Sequence, residues 1–152
     1  MKKFAKITAV VLVAVMALAV LVACGPASDP KKAAEALKKH EYTVESAIAS
    51  EGTLQKAACD LFGVTFGLEA GSLTAFVSGQ KGTEESGEAI VILYFADSST
   101  AKSVWENKFF TELRKSKEEA KEEDNEVRKD TVIKISGSMI YFGSKAAVKA
   151  AR

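Results

Sequence analysis

Ala89-Ile90-Val91-Ile92-Leu93-Tyr94-Phe95 is the stretch whose reading decides the fold. Successive residues of a strand point to opposite faces of a sheet, so an unbroken apolar run carries apolar side chains on both. A strand of that kind is expected at the centre of a sheet, covered on each side.

Working toward the N-terminus, the polar, glycine-rich segment 79–87 separates this run from another β-prone one, Leu73 to Ser78, and predicts a hairpin. Tyr42 to Ile48 alternates with period two, with Tyr42, Val44, Ser46 and Ile48 on one side, as a half-buried strand does. Between them a helix is expected over Thr53 to Phe62, with Leu54, Ala57, Ala58 and Leu61 on its apolar face and Gly63 as its stop. Residues 64–72, with glycines at 63, 67 and 71, read as an irregular connection. Asp29 can cap an earlier helix with Pro30 in its first position and Ala33, Ala34, Ala36 and Leu37 as its stripe, ending before Tyr42.

Toward the C-terminus, Asp97-Ser98-Ser99 signals the start of one long helix whose stripe runs through Ala101, Val104, Trp105, Lys108 or Phe109, and Leu113. Phe110 falls off that stripe and is expected to mark a contact surface. Residues 114–130 carry six basic and seven acidic side chains. Like-charge pairs such as Glu118/Glu122 and Glu119/Glu123 each oppose a helix by about 0.2–0.5 kcal/mol, which predicts a solvated, fraying end. Thr131 to Ser136 and Met139 to Phe142 flank Gly137-Ser138 as a second hairpin, with Gly143 at a bend and Ser144 capping a closing helix. This order of elements predicts one α+β domain over residues 31–152, two-layered, with a largely antiparallel sheet of about five strands and helices on one face.

The start of the chain is of another kind. Lys2, Lys3 and Lys6 precede an apolar run from Ile7 to Ala23 that only Thr8 interrupts, the arrangement of an export signal. An uncleaved membrane helix is the competing reading, since 17 residues lie at the lower edge of what crosses a bilayer core of about 30 Å. Leu21-Val22-Ala23-Cys24 resembles the lipobox of bacterial lipoproteins: Leu21 matches the aliphatic position, Ala23 the small one and Cys24 the modified cysteine. The resemblance implies a signal peptide at 1–23, cleavage between Ala23 and Cys24, an S-diacylglycerol group on Cys24 and a new amino group open to acylation. It further implies a lipidated tether at 24–30 and a domain held at the extracytoplasmic face of the cell membrane, with the membrane as a partner through Cys24. Gly25 is not an aspartate, so nothing at that position argues for retention in an inner membrane.

Removing the leader leaves 129 residues, enough for one domain with a modest core. The leader holds three of the 21 basic residues and none of the 20 acidic ones, so the remainder is about two units negative. That balance argues against nucleic acid as a partner. A thioether on Cys24 would leave Cys59 without a disulfide partner, and its apolar surroundings make it a buried small hydrophobe rather than a reactive thiol.

Material for catalysis is sparse. His40, the one histidine, sits among Lys38, Lys39 and Glu41 at a helix end, where a basic side chain complements the dipole, and no second histidine or cysteine pair would join it on a metal. Residues 137–145 have the glycines, serine and lysine of a phosphate loop in the wrong order. Glu84-Glu85 with Glu88, and Glu118 through Glu126, lack the spacing of a calcium loop. No catalytic residue, metal ligand or cofactor is therefore assigned, and Cys24 alone receives a chemical role. The expected function is a non-enzymatic module at the cell surface that binds a small-molecule ligand or a protein; the alternatives are an enzyme acting on cell-envelope material and an accessory subunit of a membrane complex.

Overall fold

The computed structural model describes residues 25–83, 87–122 (side chains through Glu119) and 130–152. Residues 1–24, on which the expected signal peptide and lipobox fall, the Glu84-Glu85 pair and the charged residues 123–129 lie outside the described residues.

Strand β1 (Thr43–Ile48), β2 (Leu73–Lys81), β3 (Glu88–Phe95), β4 (Thr131–Ser136) and β5 (Met139–Ser144) form one sheet in the order β1-β2-β3-β5-β4. Every neighbouring pair is antiparallel. Five α-helices accompany it among the described residues: α1 (Pro30–Lys39), α2 (Thr53–Val64), α3 (Ser98–Trp105), α4 (Lys108–Glu122) and α5 (Lys145–Ala150). The α+β class and the five-stranded antiparallel sheet are as the sequence predicts.

The layering differs from the expected two. Ile90, Ile92 and Tyr94 of β3 pack with Leu37 of α1 and Val148 of α5. Leu93 and Phe95, from the opposite face of the same strand, pack with Cys59 of α2, Ala101 of α3 and Phe110 of α4. Helices thus cover both faces, giving three layers. The doubly apolar β3 sequence requires this, because one bare face would leave side chains such as Leu93 and Phe95 in water.

The long helix expected after Asp97 is two helices. Asp97 caps α3 by accepting the Thr100 amide at 2.7 Å. Asn107 then restarts the chain, its Oδ1 accepting the Phe110 amide at 3.0 Å. The restart breaks the single stripe and turns Phe110 fully inward, at 0 % exposure. Phe110 is thus a core residue, and the contact surface expected there is absent. Helix α4 continues through the charged stretch to Glu122.

Both hairpins form, with β2 and β5 longer than expected. Gly79 lies inside β2, where a Cβ would stand 3.0 Å from Leu37 Cδ1. Gly143 likewise lies within β5, opposite Ile90, and not at a bend. A Cβ there would meet the Ala89 carbonyl at 2.3 Å, so glycine alone allows the approach. Gly63 does not stop α2 but packs inside it against Leu68.

Candidate functional site: a cleft beside residue 25 and an outward apolar helix face

The segment from Gly25 to Ser28 is docked on the domain. The Ala27 amide donates to the Ala151 carbonyl at 2.8 Å, and the Tyr94 hydroxyl donates to the Ala27 carbonyl at 2.9 Å. Pro26 is buried, and a Cβ on Gly25 would stand 3.2 Å from the Tyr141 hydroxyl oxygen. Burial, and secondarily the charge of Asp29, push the Tyr94 hydroxyl above its ordinary range, so it remains a neutral donor.

This docking forms one wall of a cleft of about 810 Å³, the largest of those described. The β4–β5 turn, from Lys134 to Met139, and Arg152 also line it. Gly137 opens the turn at φ +58°, in the left-handed region that glycine enters without a Cβ clash. The cleft contains two cations, the hydroxyls of Ser28, Ser136 and Ser138, two tyrosines, and no acidic side chain. Asp29 is not in the lining, and its Oδ1 is held by the Lys32 amide at 3.0 Å as the cap of α1.

A second feature lies on α2. Leu54, Leu61 and Val64 are 82 %, 74 % and 63 % exposed. Ala57 and Ala58 between them are exposed too, so the face expected to be buried is the outer one. What turns inward is the stripe of Cys59, Phe62 and Gly63. Phe62 stacks on Phe76 at 3.8 Å between ring centroids, and the following Phe66 meets Phe109 and Phe142 at 5.2 and 5.7 Å. A phenyl ring brings more apolar area out of water than a leucine, which decides between the two faces. The i,i+4 spacing of Phe62 and Phe66 was the available sign.

The remaining candidates have structural roles. Cys59 is fully buried, donating weakly to the Ala47 carbonyl at 3.6 Å, and burial pushes its thiol pKa up, away from thiolate chemistry. His40 is the exposed C-cap of α1, and its carbonyl accepts the Lys81 ammonium at 3.0 Å. Glu88 accepts the Tyr42 hydroxyl. Ser144 caps α5 by accepting the Ala147 amide at 3.2 Å, which occupies the one hydroxyl of the phosphate-loop-like phrase that precedes a helix. Hydrogen bonds hold the Asp60 and Asp97 carboxyls below their usual range, Asp60 from Lys56 and the Gly71 amide, Asp97 from Thr100. Among the described residues no group of three or more His, Cys, Asp or Glu is placed to hold a metal ion, and no helix is long and apolar enough to cross a membrane.

No protein-family model, curated protein or solved structure matches this chain.

Proposed function

We propose that the chain is a lipid-anchored lipoprotein at the extracytoplasmic face of the cell membrane, held through Cys24, whose domain is a non-enzymatic protein-binding module. The lipobox supports the anchor. The outward apolar face of α2 is the one observation that carries the binding role.

Leu54, Ala57, Leu61 and Val64 recur at the a and d positions of a heptad, the pattern that seats one helix against another. Ala57 and Ala58 at the middle let a partner backbone come close. Thr53, Ala58 and Thr65 flank the stripe without charge, and the charges beside it, Lys56 and Asp60, pair with each other at 2.9 Å, so the matching surface is an apolar helix and not a charged peptide. A helix of 12 residues is about 18 Å long, and its face falls short of the roughly 800 Å² per partner of a stable interface. A partner presented at the same membrane offsets that deficit through effective concentration.

Two measurements test the reading. The mass of the N-terminal peptide of the mature protein should be that of a diacylglyceryl-modified Cys24, and an unmodified Met1 would sink the anchor. A photo-crosslinking residue at position 61 in living cells should give one discrete protein adduct, absent from position 102 on α3 and lost on Leu54→Asp. Lipid-only adducts, self-adducts, or the same adducts from both positions would end the partner-helix reading.

A further inference from the structure

We infer that the cleft beside Gly25 is a binding site for the phosphate of an anionic phospholipid headgroup, so that the domain stands on the bilayer by this end. The inference rests on the proposed anchoring at Cys24. Consecutive Cα atoms lie about 3.8 Å apart, so residue 24 is within one residue's reach of the cleft wall formed by Gly25 to Ser28. The bonds at Ala27 and the packing of Pro26 leave no slack between them. A diacylglyceryl group on Cys24 therefore puts the cleft mouth in the headgroup layer, which is only about 5–8 Å deep on each side of the hydrocarbon.

The lining chemistry suits that layer. Lys134 and Arg152 make no ion pair among the described residues, and Ser136 and Ser138, at the two sides of Gly137 in the β4–β5 turn, add hydroxyls to the same lining. Phosphate oxygens accept from ammonium, guanidinium and hydroxyl donors alike, and an arginine fork fits two of them at once. No acidic side chain is among the lining residues, so the charged side chains that a phosphate meets in the cleft itself are both cations. The domain as a whole is slightly acidic, so this local basic surface runs against the overall balance.

The test uses the full protein purified from membranes and placed in nanodiscs of phosphatidylcholine alone, or of phosphatidylcholine with a minority of phosphatidylglycerol. Amide resonances of Ser136, Gly137 and Ser138 should shift only in the second kind. Lys134→Gln with Arg152→Gln should weaken the effect by about tenfold or more, while Lys102→Gln with Lys108→Gln should leave it unchanged. Free glycerol 3-phosphate titrated into the phosphatidylcholine discs should act only at far higher concentration. Equal affinity for the free anion would make this a soluble-ligand site and overturn the headgroup assignment. So would identical spectra in both kinds of disc, or shifts that survive in the Lys134/Arg152 variant. The mass of the Cys24 peptide, read on the same preparation, separates failure of the anchor from failure of the cleft.

Discussion

The Tyr94 hydroxyl donates to the Ala27 carbonyl at 2.9 Å, joining the core strand β3 to the segment that precedes α1. Tyr94→Phe keeps the ring and its packing but removes the donor. The expected cost is about 1–2 kcal/mol in urea unfolding, with faster amide hydrogen exchange at Ala27 and Ser28 and an unchanged rate in β2. Wild-type exchange rates at those two residues would show that something other than Tyr94 holds the segment.

Leu61 and Phe110 have exchanged the roles that their sequence stripes suggest, and their substitutions should behave accordingly. Phe110→Ala is expected to destabilise by about 3–5 kcal/mol, as emptying a buried aromatic site does. Leu61→Ala should stay within about 0.5 kcal/mol of wild type, because the side chain is 74 % exposed. Equal costs in chemical denaturation would mean that α2 is rotated from its position here.

Asn107 performs two tasks with one amide. Its oxygen accepts the Phe110 amide at 3.0 Å to start α4, and its nitrogen donates to the Phe66 carbonyl at 3.3 Å, tying that start to the α2–β2 connection. Asn107→Ala loses both, at a cost of about 1–2 kcal/mol. Asn107→Asp keeps the cap and loses only the donor, so it should fall between Ala and wild type. An Asp variant as unstable as Ala would place the weight on the Phe66 bond.

The elements most legible in the sequence were those with a local cause. The doubly apolar Ala89–Phe95 run located the central strand, Asp29-Pro30 and Asp97 located helix starts, and Gly137-Ser138 located a turn. What the sequence left open was decided by competition between distant groups. Helix α2 offers two apolar stripes, and only the presence of Phe76, Phe109 and Phe142 opposite selects the Phe62 side. The break at Asn107 depends on Phe66, 41 positions earlier. The cleft joins Gly25 to Lys134, more than a hundred residues apart, and no periodicity in the chain could bring them together.

Helix α1 ends with Glu41 in the left-handed region at φ 66°, the Glu41 amide donating to the Lys38 carbonyl at 3.0 Å and the Tyr42 amide to the Leu37 carbonyl at 3.1 Å. This is the Schellman arrangement, in which glycine usually occupies the left-handed position because a Cβ is costly there. Glu41→Gly should therefore stabilise the protein by about 1 kcal/mol, seen as a higher urea midpoint. The exposed ion pair of Glu41 with Lys81, 3.5 Å long, subtracts little. A lower midpoint would show that the pair or the unfolded chain's lost stiffness dominates.

Alkaline pH should destabilise the fold through two tyrosines. Burial first, and the hydrogen bond and charge of Glu88 next, raise the Tyr42 hydroxyl above its ordinary pKa; burial and Asp29 do the same for Tyr94. In both cases the folded state favours the protonated form. The stability they supply is whole below the ordinary tyrosine pKa of about 10 and is lost as pH climbs from there through the higher folded values, because the unfolded chain releases its protons first. Lys31, raised by its hydrogen bond with Glu51, works in the same direction, but the pair is exposed to solvent and screened. Tyr42→Phe with Tyr94→Phe should accordingly lower the urea midpoint near neutrality and flatten its fall above about pH 10. A fall as steep in the double variant as in the wild type would assign the alkaline loss to the lysines instead.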